Sequence, residues 1–388
     1  MFSAHPPPMV CYLRKHISLF FLIFLSTFLS TDLTHGESGS ALDCNSQIIE
    51  KKKCPMNRDY FLYLPKTLDP NRTYWLVSYV HGAYGFGRDD IRSLKHFVEL
   101  GNCIGVAPSF GSGFQLLENK TDEQLIGILH QLRATYKLHP KIFLYGHSAG
   151  GQFSHRFMLK HPDLVIGCEA CSSGTWATGG KFGSILSNSH NELDSHDRCA
   201  TQNIPIAIAC GSKDQGNVGY RIQLLSSQDP SGFPPSVGNK HEISTFNRVQ
   251  WFKEFEHQLH QGNFFYKSKL FCGEGHYVDE SEQEALALES FSLGTCGMLP
   301  EEKFFFNGEF AEIKKDISNQ KCDFNDKRLQ QLKLQMEERS TMSLEKKLTT
   351  CGWHVNEHAL EQCHQALKEF LDEEIILTEK EAHLIPTT

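Results

Sequence analysis

Reactive side chains concentrate in Ile142-Phe143-Leu144-Tyr145-Gly146-His147-Ser148-Ala149-Gly150-Gly151 of the 388-residue chain. An apolar run enters a Gly-x-Ser-x-Gly turn and a helix-compatible stretch leaves it, the context in which a sharp, strained turn lifts a serine clear of a sheet. A serine hydroxyl is a weak nucleophile until a histidine takes its proton, and a carboxylate must fix that imidazole's tautomer. Both follow in order. The buried-strand pattern Ile204–Cys210 leads into Gly211-Ser212-Lys213-Asp214, and the apolar run Phe264–Phe271 leads into Cys272-Gly273-Glu274-Gly275-His276-Tyr277. Ser148, Asp214 and His276 are therefore the candidates for nucleophile, orienting acid and base. Asp194, Asp197 and Asp279 lie in nearby loops and compete with Asp214.

Acyl transfer also needs donors for the developing oxyanion, worth about 2.7–4 kcal/mol each. The segment Tyr79-Val80-His81-Gly82-Ala83-Tyr84-Gly85 follows a strand-like run and offers the N–H of Ala83, and the residue after the nucleophile offers that of Ala149. His81, His147 and Trp176 stand beside these groups as candidates for substrate contact. Local packing is the competing reading for His147 and Trp176. A second motif, His354-Val355-Asn356-Glu357-His358, matches the H-x-x-E-H pattern of zinc peptidases. The short remainder of the chain leaves little room for a catalytic domain and a third ligand, so the match reads as coincidence. Neither a metal nor a cofactor is expected.

These groups need a scaffold that brings distant loops together. Asp59–Leu64, Tyr74–Val80, Cys103–Ala107, Ile142–Tyr145, Leu164–Cys168, Ile204–Cys210 and Phe264–Phe271 read as strands. Ile91–Leu100, Asp122–Tyr136, Ser148–Leu159, Ser244–Gln258 and Ser281–Ser292 read as helices. Short apolar strands alternating with helices predict an α/β fold, a mostly parallel sheet with helices on both faces and its site at the strands' C-terminal edge.

Composition sets the remaining bounds. Lys and Arg are outnumbered 38 to 46 and the longest basic run is Lys51-Lys52-Lys53, which excludes a nucleic-acid partner. Arg14, Lys15 and His16 precede the apolar run Ile17–Ser30, and Thr34-His35-Gly36 follows, so residues 1–36 read as a signal peptide. Fourteen residues at about 1.5 Å each fall short of a bilayer core of about 30 Å, so no stable membrane span is expected once the signal is cleaved. Export leaves twelve cysteines for an oxidising compartment. Cys44 with Cys54 and Cys351 with Cys363 are candidate local bridges, whereas Cys103, Cys210 and Cys272 read equally as free thiols. Asn71 and Asn119 begin glycosylation sequons. The last 88 residues carry 30 charged side chains against 54 in the first 300. A catalytic domain over 37–300 and a charged helical extension over 301–388 are thus expected, the latter with apolar stripes at Leu329, Leu332 and Met336 and at Leu360, Cys363, Leu367, Phe370 and Leu371.

Taken together, the strand-His-Gly turn, Gly-His-Ser-Ala-Gly-Gly, Gly-Ser-Lys-Asp and Gly-Glu-Gly-His resemble the α/β-hydrolase superfamily from about Asp59 to Ser292. Gly150-Gly151, the modest loops and the export signal are similar to secreted esterases that include polyhydroxybutyrate depolymerases and feruloyl or acetylxylan esterases. Those relatives often carry a bulky apolar residue where this chain has His147, so the acyl group stays open. The resemblance implies an α/β-hydrolase fold and a secreted serine hydrolase whose ligand is a carboxylic ester. The alternatives are an exported peptidase of the same fold and a catalytically silent binding protein on a hydrolase scaffold.

Overall fold

A computed structural model describes residues 48–66, 68–70, 72–101, 103–111, 113–117, 120–177, 200–216, 247–318, 334 and 344–383. The signal segment, both sequon asparagines, Cys44, Asp194, Asp197 and the Leu329–Met336 stripe lie outside the described residues. The strands are β1 (Ile48–Lys53), β2 (Asp59–Leu64), β3 (Tyr74–Val80), β4 (Cys103–Pro108), β5 (Leu138–His147), β6 (Val165–Cys171), β7 (Ile206–Gly211), β8 (Tyr266–Phe271) and β9 (Trp353–His354). They form one sheet in the order β1-β2-β4-β3-β5-β6-β7-β8-β9. From β3 to β8 the neighbours run parallel, while β1 and β2 at one edge and β9 at the other pair antiparallel. This is the expected mostly parallel α/β sheet with helices on both faces.

The central strands are apolar throughout because both faces are covered. On one face Leu76, Leu144 and Ile208 meet Leu125 of α2 (Thr121–Arg133), Phe153 of α3 (Ala149–Lys160) and Phe255 of α4 (Arg248–Gln261). On the other, Val77 and Phe143 meet Phe97 of α1 (Lys95–Gly101) and Phe291 of α5 (Glu280–Cys296). Local signals fix the helix starts. Asn247 and Gln250 form a reciprocal capping box on α4, and Asp279 caps α5 by accepting from the Ser281 and Glu282 N–H groups.

Two strands escape sequence reading. β1 is Ile-Ile-Glu-Lys-Lys-Lys, whose lysines hide its strand character; Lys51 and Lys53 pair with Asp59 of β2 at 2.9 and 3.3 Å. Lysines on an edge strand also discourage another chain from adding to the sheet. β9 is two residues long and pairs with the start of β8, Tyr266 opposite His354 and Lys267 opposite Trp353.

That pairing ties the C-terminal segment to the body. Helices α6 (Pro300–Ser318), α7 (Leu344–Thr350) and α8 (Glu357–His383) belong with the sheet to one compact unit, Gln47–Thr388. Ala359, Cys363, Leu367 and Leu371 of α8 are buried, the first two in a cluster with Leu293 and Leu299. The indole of Trp353 donates to Glu289 at 3.1 Å, and Lys267 bonds the same carboxylate at 2.5 Å. The stripe expected around Leu360–Leu371 therefore packs on the body. The expected Cys351–Cys363 bridge does not form: Cys363 is buried on α8, near Cys296, whereas Cys351 is exposed just after α7. Cys54 and Cys210 are buried free thiols, Cys103 is buried, and Cys272 is an exposed free thiol. Among the described residues no helix is long and apolar enough to cross a membrane.

β9 covers the N-terminal end of β8, away from the C-terminal edge that carries the Asp214 and His276 loops. Deleting residues 344–388 removes buried Leu348, Trp353, Leu367 and Leu371, each worth about 1.5–3 kcal/mol. Calorimetry should show a Tm lower by about 10 °C or more, while kcat on a small soluble ester at 20 °C should fall less than about threefold, the chemistry being remote. A stable but inactive truncation would place the tail in the active site.

Candidate active site

Strand β5 runs into α3 through Ser148, which sits at φ 57° and ψ −115°. A non-glycine residue holds such a conformation only where its surroundings over-determine it. Here the close approach of α3 to β3 does so, since a side-chain carbon at Gly150 would fall 1.8 Å from the Val80 carbonyl oxygen. The Ser148 N–H donates to the Cys171 carbonyl of β6 at 2.8 Å, and its own carbonyl accepts from Gln152 at 3.0 Å. The hydroxyl is left pointing off the sheet edge.

Two loops meet it there. His276 Nε2 lies 3.0 Å from Ser148 Oγ, and His276 Nδ1 lies 2.7 Å from Asp214 Oδ2. A carboxylate only accepts, so Nδ1 carries the hydrogen and Nε2 is free to take the serine proton. The loops that carry Asp214 and His276 are stitched together. Lys213 N–H donates to Glu274 O at 2.7 Å and Gly273 N–H to Ser212 Oγ at 2.8 Å. Gly211 passes so near that a side-chain carbon there would fall 1.9 Å from the Gly275 oxygen. Of the competing carboxylates, Asp279 is occupied as the cap of α5.

Asp214 is a buried carboxylate whose side chain is 2% exposed. Burial alone would raise its pKa, but hydrogen bonds and positive charge from His276 and Arg248 outweigh that, and it ends below the ordinary carboxylate value. Arg248, at the first turn of α4, places Nη1 3.0 Å from Asp214 Oδ1. No sequence motif marks it, since its position depends on how α4 returns to the sheet edge.

The residues expected to donate to an oxyanion are Ala83 and Ala149. A side-chain carbon at Gly82 would stand 4.0 Å from Ser148 Cβ, so Gly82, the residue before Ala83, passes close to Ser148. Ala149 opens α3, where a first-turn N–H has no partner within the helix.

His81 turns out not to touch the site's open space. It is 1% exposed, and both ring nitrogens are engaged: Nδ1–H donates to Gly82 O at 2.7 Å and Nε2 accepts from Phe110 N–H at 3.0 Å. Burial lowers its pKa, and the neutral ring buttresses the Gly82–Ala83 turn. His147 is partly buried, and its Nε2–H donates to the His276 carbonyl at 2.8 Å. Burial pushes its pKa down to about 4, so at neutral pH it holds the His276 loop and carries no charge. Trp176 is 1% exposed and stacks on Phe255 with ring centroids 5.1 Å apart, which is packing rather than a pocket wall. The zinc-like motif is split: His354 lies on β9 and stacks on Tyr266, whereas His358 is exposed on α8 beside Glu361.

No protein-family model matches the chain, and no curated protein matches it in sequence. Among solved structures it is similar to a poly(aspartic acid) hydrolase-1 from Sphingomonas sp. KT-1, at 18% identity and a TM-score of 0.45, covering 63% of this chain and 97% of that one. It is also similar to a poly(3-hydroxybutyrate) depolymerase from Bordetella parapertussis, at 18% identity and a TM-score of 0.46 over 67% and 93% of the two chains. A ferulic acid esterase from Anaeromyces mucronatus shows 17% identity and a TM-score of 0.41 over 63% and 90%.

Proposed function

We propose that this chain is an exported serine hydrolase that cleaves carboxylic esters through an acyl-enzyme. The observation that carries the reading is the continuous relay from Ser148 Oγ through His276 to Asp214, at 3.0 and 2.7 Å, on a strained elbow beside the Gly82–Ala83 turn. In the first step Ser148 Oγ attacks the ester carbonyl carbon while His276 Nε2 takes the hydroxyl proton. The Ala83 and Ala149 N–H groups receive the oxygen's negative charge. The intermediate collapses as His276 returns the proton to the departing alkoxide. Water then attacks the acyl-serine, His276 again accepting a proton, and the acid leaves with Ser148 restored. Asp214 orients the imidazole and stabilises its charged form throughout.

Residues 37–300 hold every group in this scheme, and 301–388 serve as a stabilising extension. The basic cluster and apolar run within residues 1–36 support export. Purified mature protein should turn over short-chain, long-chain or aromatic test esters faster than peptide amides, and preference for peptides over every ester would reject the reading.

Ser148→Ala removes the attacking atom and little packing, so kcat/KM on the best ester should fall by about ten-thousandfold or more with the Tm unchanged. Retained turnover would place the nucleophile elsewhere. Because hydrogen bonds and positive charge hold Asp214 below the usual carboxylate range, it stays ionised across neutral pH. Protonated His276 cannot accept the serine proton, so kcat/KM should rise from acid pH and level once the imidazole is neutral. A flat profile from pH 4 to 8 would contradict this assignment.

A further inference from the structure

Arg248 has no place in the mechanism above, yet it occupies the half of Asp214 that His276 leaves open. One carboxylate oxygen faces the imidazole at 2.7 Å and the other faces the guanidinium at 3.0 Å. The ion pair is largely withdrawn from water, with the Asp214 side chain 2% and the Arg248 side chain 20% exposed. Arg248 Nε is buried without a partner among the described residues, so the contact to Asp214 is the principal return on burying that cation. The backbone also leaves room for it: a side-chain carbon at Gly216 would fall 2.3 Å from Arg248 Nη1.

Resting on the serine-hydrolase reading, we propose that Arg248 is a positioning residue that sets the basicity of His276, by fixing Asp214 and by sharing its negative charge. A carboxylate already paired with a cation stabilises a neighbouring imidazolium less than a free one does. The histidine is thereby a weaker base and remains neutral, and able to take the serine proton, at lower pH.

The other groups around the pair do not supply this effect. His147 of β5 meets the His276 carbonyl and is neutral at working pH. The Cys171 and Cys210 thiols, on β6 and β7, are held neutral by burial, Cys210 being pushed up to about 12. Tyr277 presents a ring 5.4 Å from His276. Lys213 is exposed to solvent and Glu274 partly so, on the two loops themselves. Among the described residues, Arg248 is the arginine or lysine in direct contact with Asp214.

The test is the rate at which a fluorophosphonate labels Ser148 between pH 4 and 9 in the wild-type chain, Arg248→Gln, Arg248→Lys and Gly216→Ala. Phosphonylation requires the same proton transfer to His276 and is read by mass spectrometry without knowledge of the natural ester. Removing the charge in Arg248→Gln should move the acidic limb upward by about one pH unit. Gly216→Ala, which displaces the guanidinium while keeping it in the chain, should move the limb the same way and serves even where Arg248→Gln does not fold. Arg248→Lys retains the charge and should keep the limb nearer the wild-type position than Arg248→Gln does. Limbs that coincide in wild type, Arg248→Gln and Gly216→Ala, whatever their Tm, would overturn the proposal and reduce the ion pair to a fastening for α4. Failure of the wild-type chain to label at Ser148 would instead overturn the serine-hydrolase reading itself.

Discussion

The site depends on how closely the first turn of α3 is pressed against the end of β3. Gly150 meets the Val80 carbonyl with no space for a side-chain atom between them. That contact leaves the chain no route from β5 into α3 except the sharp turn at Ser148, so the nucleophile's strained backbone is a consequence of packing. It also brings the segment after Val80 beside the serine. The proposed nucleophile and the proposed oxyanion turn are therefore set by one backbone-to-backbone approach, in which there is no side chain to relax. The contact of Gly211 with Gly275 does the same for acid and base.

Electrostatics then distinguishes among several imidazoles in a small volume. His81, His147 and His155 are all kept neutral by burial, and each spends ring nitrogens on backbone groups: Gly82 and Phe110, His276, and Gly151 and Ala177 respectively. They lock the Gly82–Ala83 turn, the His276 loop and the Trp176 loop in place. His276 alone among them points a ring nitrogen at a hydroxyl while a carboxylate holds the other. Preorganisation of this kind is what makes a weak nucleophile and two neutral donors effective, because little has to reorganise as charge develops.

The sheet and the Ser148, Asp214 and His276 constellation were legible because each depends on local patterns: apolar strands buried on both faces, and glycines where loops must pass closely. Strands β2 and β3 coincide with their sequence limits, and Asp214 and His276 stand one loop beyond the strands that the apolar runs announce. The misses share a different cause. The charged edge strand β1 and two-residue β9 owe their form to a partner strand. His81 and Trp176 reveal whether they line or fill a space only once their neighbours are placed. The bridge expected between Cys351 and Cys363 failed because twelve residues of separation do not report that one side chain is exposed and the other buried. Arg248 is the clearest case, since its contact with Asp214 is made across 34 residues and by one side-chain atom.

The central claim is that Ser148 carries the acyl group during turnover. The protein should be mixed with an excess of p-nitrophenyl acetate, quenched in acid within the first turnovers and digested for mass spectrometry. An acetyl group on the peptide that contains Ser148, lost when the ester is exhausted before quenching, is the result the structure predicts. Turnover with Ser148 unmodified and the acyl group on another side chain, or on none, would contradict it.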